Sequence, residues 1–414
     1  MFRILLTIFS VFMTSVAGAQ FTTQYNNTIK TPQMVLNDDW SALPVMELGG
    51  SDIIHFSFDE MSHMFHRYVC RVVHCNADGT PSGLLEIDYL EGFNDFVIEE
   101  WENSHNTTLL YTHYTFDIPN ENINLKLSGN YRVEIFDDES DDEIPVLAFD
   151  FAVVEKLVSI EASVSGDTDR SFNEGEQQLS FVVSHMHCNV ASPSTELIPV
   201  VYQNRRRDNR VVGLAPTYMT GSQTEYVHNT NLIFEAGNEF RRFELTDPNS
   251  PGMNVEEVIY HDSAYHALLY IDRPRFSYTN EIDENGRFYI NTIEGRGLPI
   301  EADYVNVHFA IDMPLRFGGN YYLFGDFCDN TFGEQNRLAY DAEEGYYFAS
   351  ALLKLGVYNY QYVWLPNGAT KATCKSTEGN FYNTDNEYLI YIYHREFGAR
   401  YDKLVGFLVV GTSV

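Results

Sequence analysis

Short runs of alternating apolar and polar residues recur from end to end of this chain, each closed off by Gly, Asn, Asp or Pro. Leu85-Glu86-Ile87-Asp88-Tyr89, Tyr131-Arg132-Val133-Glu134-Ile135, Leu179-Ser180-Phe181-Val182-Val183, Tyr304-Val305-Asn306-Val307-His308-Phe309 and Tyr388-Leu389-Ile390-Tyr391-Ile392-Tyr393 are of this kind. A period of two puts the apolar side chains on one face of a pleated strand. Turn residues at frequent intervals between such runs mark antiparallel sandwiches. No amphipathic helix longer than about two turns interrupts the pattern. The 28 Tyr and 29 Phe suit half-buried strands. The expected fold is all-β, a tandem of antiparallel, immunoglobulin-like β-sandwiches. Asp283-Glu284-Asn285-Gly286, between Tyr278 and Phe288, reads as a tight hairpin.

At roughly 100–200 residues per domain, 414 residues predict two to four units. One joint is expected after Phe149-Asp150-Phe151-Ala152-Val153-Val154, and a second at the Gly/Pro break Gly295-Arg296-Gly297-Leu298-Pro299. This divides the chain into residues 20–155, 156–298 and 299–414. The acidic run 137–143 reads as a solvated hairpin tip, without the Gly-containing ligand spacing of a calcium loop. Several strands carry charge on both faces and the sequence closes on Gly411-Thr412-Ser413-Val414, which disfavours an outer-membrane barrel with its apolar band and aromatic girdles.

Residues 1–19 read as a secretory signal peptide. Arg3 is the positive start, Ile4 to Val16 the apolar stretch, and Ala17-Gly18-Ala19 the small-residue cleavage site before Gln20. The stretch is short of the ~20 residues of a membrane span. An exported, soluble protein is expected. With 26 Lys+Arg against 59 Asp+Glu the net charge is −33, which sets the chain against nucleic acid and anionic lipid surfaces. Cys70 and Cys75 fall on opposite faces of one strand and so do not pair without a bulge. With Cys188, Cys328 and Cys374 the count is odd, and the cysteines read as small buried hydrophobes.

His63, His66, Cys70, His74 and Cys75 are the densest group of metal-ligand types, followed by His185-Met186-His187-Cys188. Alternation splits both groups between two faces, so no metal and no cofactor is expected. Gly-x-Ser-x-Gly, His-Glu-x-x-His and the phosphate-binding glycine motifs do not occur, and carboxylates are too abundant to single out a glycosidase pair. The chain reads as a non-enzyme without a small-molecule substrate. Its one basic island, Arg205, Arg206, Arg207 and Arg210, follows the strand Pro199-Val200-Val201-Tyr202. It is expected to be an exposed hairpin tip able to dock an acidic partner surface.

Several segments together resemble the plug protein family of the type IX secretion system of Bacteroidota. They begin with Arg71-Val72-Val73-His74-Cys75-Asn76-Ala77-Asp78, Pro81-Ser82 and Glu91-Gly92-Phe93-Asn94. Asn106-Thr107-Thr108, Tyr111-Thr112-His113-Tyr114, Leu127-Ser128-Gly129-Asn130-Tyr131 and Gly166-Asp167-Thr168-Asp169 follow in the family's order. Gln203-Asn204, Phe234-Glu235-Ala236-Gly237-Asn238-Glu239-Phe240-Arg241 and Ala302-Asp303-Tyr304-Val305 come next. Gly356-Val357-Tyr358-Asn359-Tyr360-Gln361-Tyr362 and Arg400-Tyr401-Asp402 close the set. Gly79 and Arg207 stand where the family usually has Trp. The resemblance implies a periplasmic protein that closes the periplasmic mouth of the outer-membrane translocon barrel. It would sit on the outer membrane through that partner alone. Asp262-Ser263-Ala264 is similar to the O-glycosylation acceptor used in that phylum, which makes Ser263 a candidate site.

The third unit is also similar to glycogen-binding early-set domains, through Tyr321-Tyr322-Leu323-Phe324-Gly325-Asp326-Phe327 and the Tyr358, Tyr360, Tyr362 run. The Trp expected after Gly-Asp-Phe is replaced by Cys328-Asp329-Asn330-Thr331-Phe332. The three tyrosines alternate onto one face and are expected in a core or an interface. The alternative function is therefore a periplasmic carbohydrate-binding or glycan-processing protein.

Overall fold

A computed structural model describes residues 21–140, 144–293 and 299–412. The signal-peptide expectation, most of the Gly295–Pro299 break and part of the acidic run lie outside the described residues. Its regular structure is almost entirely β-strand, paired antiparallel except at Val45–Glu47 and between Ala264–Leu269 and Tyr304–Ile311, and arranged as three two-layer sandwiches.

In the first sandwich a sheet orders Thr22–Gln24, Leu147–Val154, Gly129–Asp137, Tyr68–Cys75 and Phe96–Val97, with Val45–Glu47 parallel to Leu147–Val154. It packs on a four-stranded sheet of Ile29–Leu36, Ile54–Glu60, Thr112–Ile118 and Glu100–Asn103. Alternation predicts which side chains meet: Phe56 stacks on Phe116 at 4.9 Å and meets Phe149 edge-on at 5.2 Å.

The second sandwich pairs Ser159–Ser165, Glu176–Ser184, Gln223–Tyr226 and Tyr218–Met219 in one layer. The other layer holds Val211–Val212, Leu197–Gln203, Glu387–His394 and Lys403–Gly411. The third sandwich lies between these in sequence. Its long strand Gly356–Pro366 takes Arg241–Leu245, Phe288–Ile290 and Gly319–Phe324 as partners. The facing sheet runs Val255–His261, Ala264–Leu269, Tyr304–Ile311, Tyr346–Lys354 and Ala339–Asp341.

These ladders cut across the expected division at residue 298. Leu197–Gln203 pairs residue for residue with Glu387–His394, so the last two strands complete the second sandwich and the third is built from the intervening segment. Two local expectations also change. Residues Glu86–Tyr89 form a single helical turn and no strand, with Leu85 and Ile87 facing solvent and only Tyr89 of the apolar three buried. The Asp88 carboxylate accepts the Leu85 N–H at 3.2 Å, a local bond that competes with extension. The 283–286 turn does not close a hairpin, because Phe288–Ile290 pairs with the distant strand Gly356–Pro366 and Asp283 instead accepts N–H bonds from Phe240 and Asn285. Tyr358, Tyr360 and Tyr362 all lie in the third core.

Candidate functional site

The residues singled out by motif converge on the seams between sandwiches. His74 is the penultimate residue of the strand Tyr68–Cys75 and is buried, with Nε2 at 3.2 Å from the Ser128 carbonyl and its ring edge-on to Tyr131 and Tyr401. Burial pushes its pKa down to about 4, against the opposing Ser128 bond, so the ring is neutral. Burial likewise pushes the Cys75 thiol up to about 12. Gly129 passes so close to His74 that a Cβ there would lie 2.5 Å from Nε2, and its φ of +142° excludes other residues as well.

Asn76, Ala77 and Asp78 then form a tight turn. Thr80 donates N–H and hydroxyl bonds to the Asp78 carboxylate, Asn76 accepts from Gly79, and Gly79 has a φ of +84°. Pro81 bridges back to Cys75, and the Ser82 N–H donates to the His74 carbonyl. The turn is aimed at the second sandwich. Ala77 N–H donates to Asp402 at 2.9 Å, Arg395 donates to Asn76, and Tyr393 donates to Asn130 at 2.7 Å, whose amide in turn donates to the Asn76 carbonyl. Residues 74–78 and 400–402, far apart in sequence, thus form one contact. Gly166, Asp167, Thr168 and Asp169 make the turn after Ser159–Ser165. A Cβ at Gly166 would meet Tyr382 at 2.7 Å, and Asp169 accepts bonds from Gln178 and His228 that hold its pKa below the ordinary value.

The arginine island is not an exposed tip. Asn204 and Arg205 take left-handed backbone (φ +47° and +56°) and turn the side chains inward. Arg207 donates to the Thr22 carbonyl at 2.6 Å and stacks 4.3 Å over Phe21 of the first sandwich. Arg205 reaches Asp326 at 2.5 Å, beside the third sandwich. Arg206 pairs with Asp208 at 2.7 Å, donates to the Ala372 carbonyl and lies over Phe324. Arg210 lies beside the buried Tyr202 hydroxyl, whose pKa burial raises and Arg210 draws back. Glu387 joins this group to Arg287, which donates onward to Ser41 of the first sandwich. The excess of acid in the chain supplies counter-charges for the cations, which allows them to be desolvated.

A third seam joins two of the family-like segments, 111–114 and 302–305, to Asp59 and Lys354, which lie in none of them. Asp59 sits at 2.6 Å from each of Lys354, His113 and Tyr304, and Tyr304 is 2.6 Å from Thr31. The Lys354 ammonium lies 4.2 Å from the centre of the Tyr111 ring. Burial opposes ionisation of Asp59, yet Lys354 and His113 hold its pKa below the ordinary value. The available signal was Lys354 at the end of the apolar run Ala351-Leu352-Leu353, where a charge needs a partner.

Outside the seams, Phe65 and Trp101 pair at 5.1 Å on the first sandwich, and Phe93, Phe276, Phe317 and Phe397 are exposed. Ser263 is exposed in the two-residue turn between Val255–His261 and Ala264–Leu269, where Asp262 and Ser263 both have positive φ. All five cysteines are free, four of them buried. Among the described residues no three His, Cys, Asp or Glu converge to hold a metal, and no helix is long and apolar enough to cross a membrane.

Residues 29–155 match the type 9 secretion system plug protein 1st domain. The chain is 38% identical to a hypothetical protein from Parabacteroides merdae ATCC 43184 known from a 2.30 Å crystal structure, with a TM-score of 0.93 over 96% of this chain and 100% of that one. Native Escherichia coli alpha-2-macroglobulin aligns at 10% identity over 96% of this chain and 23% of that one, and its TM-score of 0.15 carries no argument. No curated protein matches.

Proposed function

This chain belongs to the type IX secretion system plug protein family, and from that premise we propose that it closes the periplasmic opening of the outer-membrane translocon barrel in its resting state. Its involvement in type IX secretion follows from the family, and family and all-β fold together point to a structural, non-enzymatic role. The observation that supports plugging is the triple seam. Buried bonds at Asp402–Ala77 and Lys354–Asp59 and a part-buried one at Arg207–Thr22 tie the first sandwich to the other two. A body that seals an opening must keep its shape while one face binds, and cross-tied sandwiches resist the independent domain motion that small interfaces permit.

In this reading residues 1–19 export the chain and are removed, the protein works at the periplasmic face of the outer membrane, and its partner is the barrel. The interface is broad and mixed in polarity. Exposed aromatics such as Phe93 and Trp101 are the candidate contacts, since the arginine island is already engaged internally. The glycan-binding alternative draws little from the third sandwich, where Tyr358, Tyr360, Tyr362 and Trp364 are core residues without an open face.

Tagged native protein, recovered from detergent-solubilised outer membrane, tests the proposal. Co-purification of a giant barrel protein supports it. Recovery without a barrel, combined with retention on amylopectin or glycogen, favours the alternative.

A further inference from the structure

Cys188 lies beyond the strand Glu176–Ser184, in a turn that its own backbone closes: its N–H donates to the His185 carbonyl at 3.1 Å and its carbonyl accepts from Val190 at 2.9 Å. The turn sets Sγ 3.4 Å from Nδ1 of His394, which lies 206 positions away at the end of Glu387–His394. The other ring nitrogen, Nε2, is 3.5 Å from Oε2 of Glu196, and that same oxygen accepts the Ala191 N–H at 2.9 Å. Glu196 ends the helical turn Pro193–Glu196 and directly precedes Leu197, the ladder partner of His394, so the strand pairing brings carboxylate and imidazole side by side. His394 is 2% exposed and Glu196 8%.

The order thiol, imidazole, carboxylate is that of a nucleophile, its base and the group that orients the base. Nε2 itself makes no hydrogen bond, and the Glu196 carboxylate 3.5 Å away favours positive charge on that side of the ring, which leaves the Nδ1 lone pair to receive the S–H proton. Cys188 also lines an open pocket of about 540 Å³ with His185, Asn189, Gly221 and Ser222, so a small reagent has a place beside the sulfur. The other thiols lack this arrangement. Cys70 is fully buried, Cys75 turns its sulfur to the Val73 carbonyl, and Cys374 is 3% exposed.

We propose that Cys188 is a nucleophilic thiol site that takes small disulfides into a mixed disulfide, with His394 as its base and Glu196 as the positioning carboxylate. The S–H proton passes to His394 Nδ1 and the thiolate attacks one sulfur of the incoming disulfide. A new S–S bond forms as the old one breaks, and the departing thiolate takes the proton back from the imidazolium. The number of S–S bonds is unchanged: the Cys188 sulfur takes the place of one half of the reagent, which leaves as a thiol, so no outside oxidant is needed.

Burial raises the Cys188 pKa, Lys403 opposes this, and Glu396, Glu155 and Glu196 add to it, so the resting sulfur is protonated and depends on its base. His185 also faces the site, with Nε2 on the Thr224 hydroxyl and its own pKa lowered first by burial and then by His394.

The test uses tag-free, full-length protein incubated with oxidised glutathione, followed by peptide mass mapping of all five cysteines. Cys188 is expected to gain glutathione at least about tenfold faster than Cys328, and His394→Gln to remove about tenfold or more of that advantage. Glu196→Gln is expected to give an intermediate rate. Circular dichroism checks that each variant is folded. Should His394→Gln fail to fold, the pH profiles of the unmodified protein decide: proton transfer to a neighbouring base predicts a Cys188 rate whose pH dependence departs from the plain rise with pH at Cys328. Equal rates at Cys188 and Cys328, an unchanged rate in folded His394→Gln, or parallel pH profiles would overturn the proposal.

Discussion

Lys354 and Asp59 lie 295 positions apart in sequence and meet at 2.6 Å, each side chain 1% exposed. The pair joins the third sandwich to the first, and His113 and Thr31 of the first with Tyr304 of the third complete the hydrogen bonding. Removing one partner strands the other charge away from water. Lys354→Met is therefore expected to destabilise the protein by about 3–5 kcal/mol. Thermal unfolding of Lys354→Met and of Lys354→Met/Asp59→Asn checks this, with the double variant recovering part of the loss.

The arginine island yields a prediction opposite to that of an exposed tip. Substitution of a solvated tip shifts stability by within about ±0.5 kcal/mol. With Arg205, Arg206 and Arg207 bound to Asp326, Asp208, Ala372 and Thr22, changing these three to Glu places carboxylates beside buried carboxylates. The loss is expected to exceed about 3 kcal/mol, read from the denaturant midpoint. A change smaller than about 0.5 kcal/mol would return the island to solvent.

His74 sets a pH dependence. Its folded pKa of about 4 lies below the ordinary value of 6.5, so the unfolded chain binds the proton more readily. Stability from this group is complete above pH 6.5 and is lost as pH falls through about 4. The full span is on the order of 3 kcal/mol. Denaturant unfolding from pH 7 to pH 4 is expected to show this decline, and His74→Gln to flatten it while lowering stability at pH 7.

Ser263 is exposed beside Asp262 at a hairpin tip, where an added sugar meets no packed neighbour. Protein made in its own host is expected to carry an O-glycan there, seen as a mass increment on the peptide containing Ser263 and absent in Ser263→Ala. A fully unmodified peptide would dismiss the site.

The alternation of Tyr304-Val305-Asn306-Val307-His308-Phe309 was enough to place a strand and its buried face, because every second side chain enters the core. It held no information about partners: Leu197–Gln203 finds Glu387–His394 across nearly the whole third sandwich, and nothing local encodes that pairing. The run at Leu85 to Tyr89 alternates as a strand does, but Leu85 and Ile87 have no layer to face and a local Asp88 bond wins. A charge is costly to bury, so a run of arginines reads as solvated, yet their acceptors come from segments distant in sequence. The link between Asn76 and Arg395 and the alignment of Cys188 with His394 were hidden for the same reason, although all four residues stood in plain view.

The central claim is that this protein seals the barrel of the secretion machinery. The most direct measurement is co-purification of that barrel with the tagged native protein from solubilised outer membrane, quantified by mass spectrometry with secretion resting. The account predicts the barrel as the principal partner, at close to equal stoichiometry. Recovery of the protein free of any barrel, from membranes that contain it, would contradict the account.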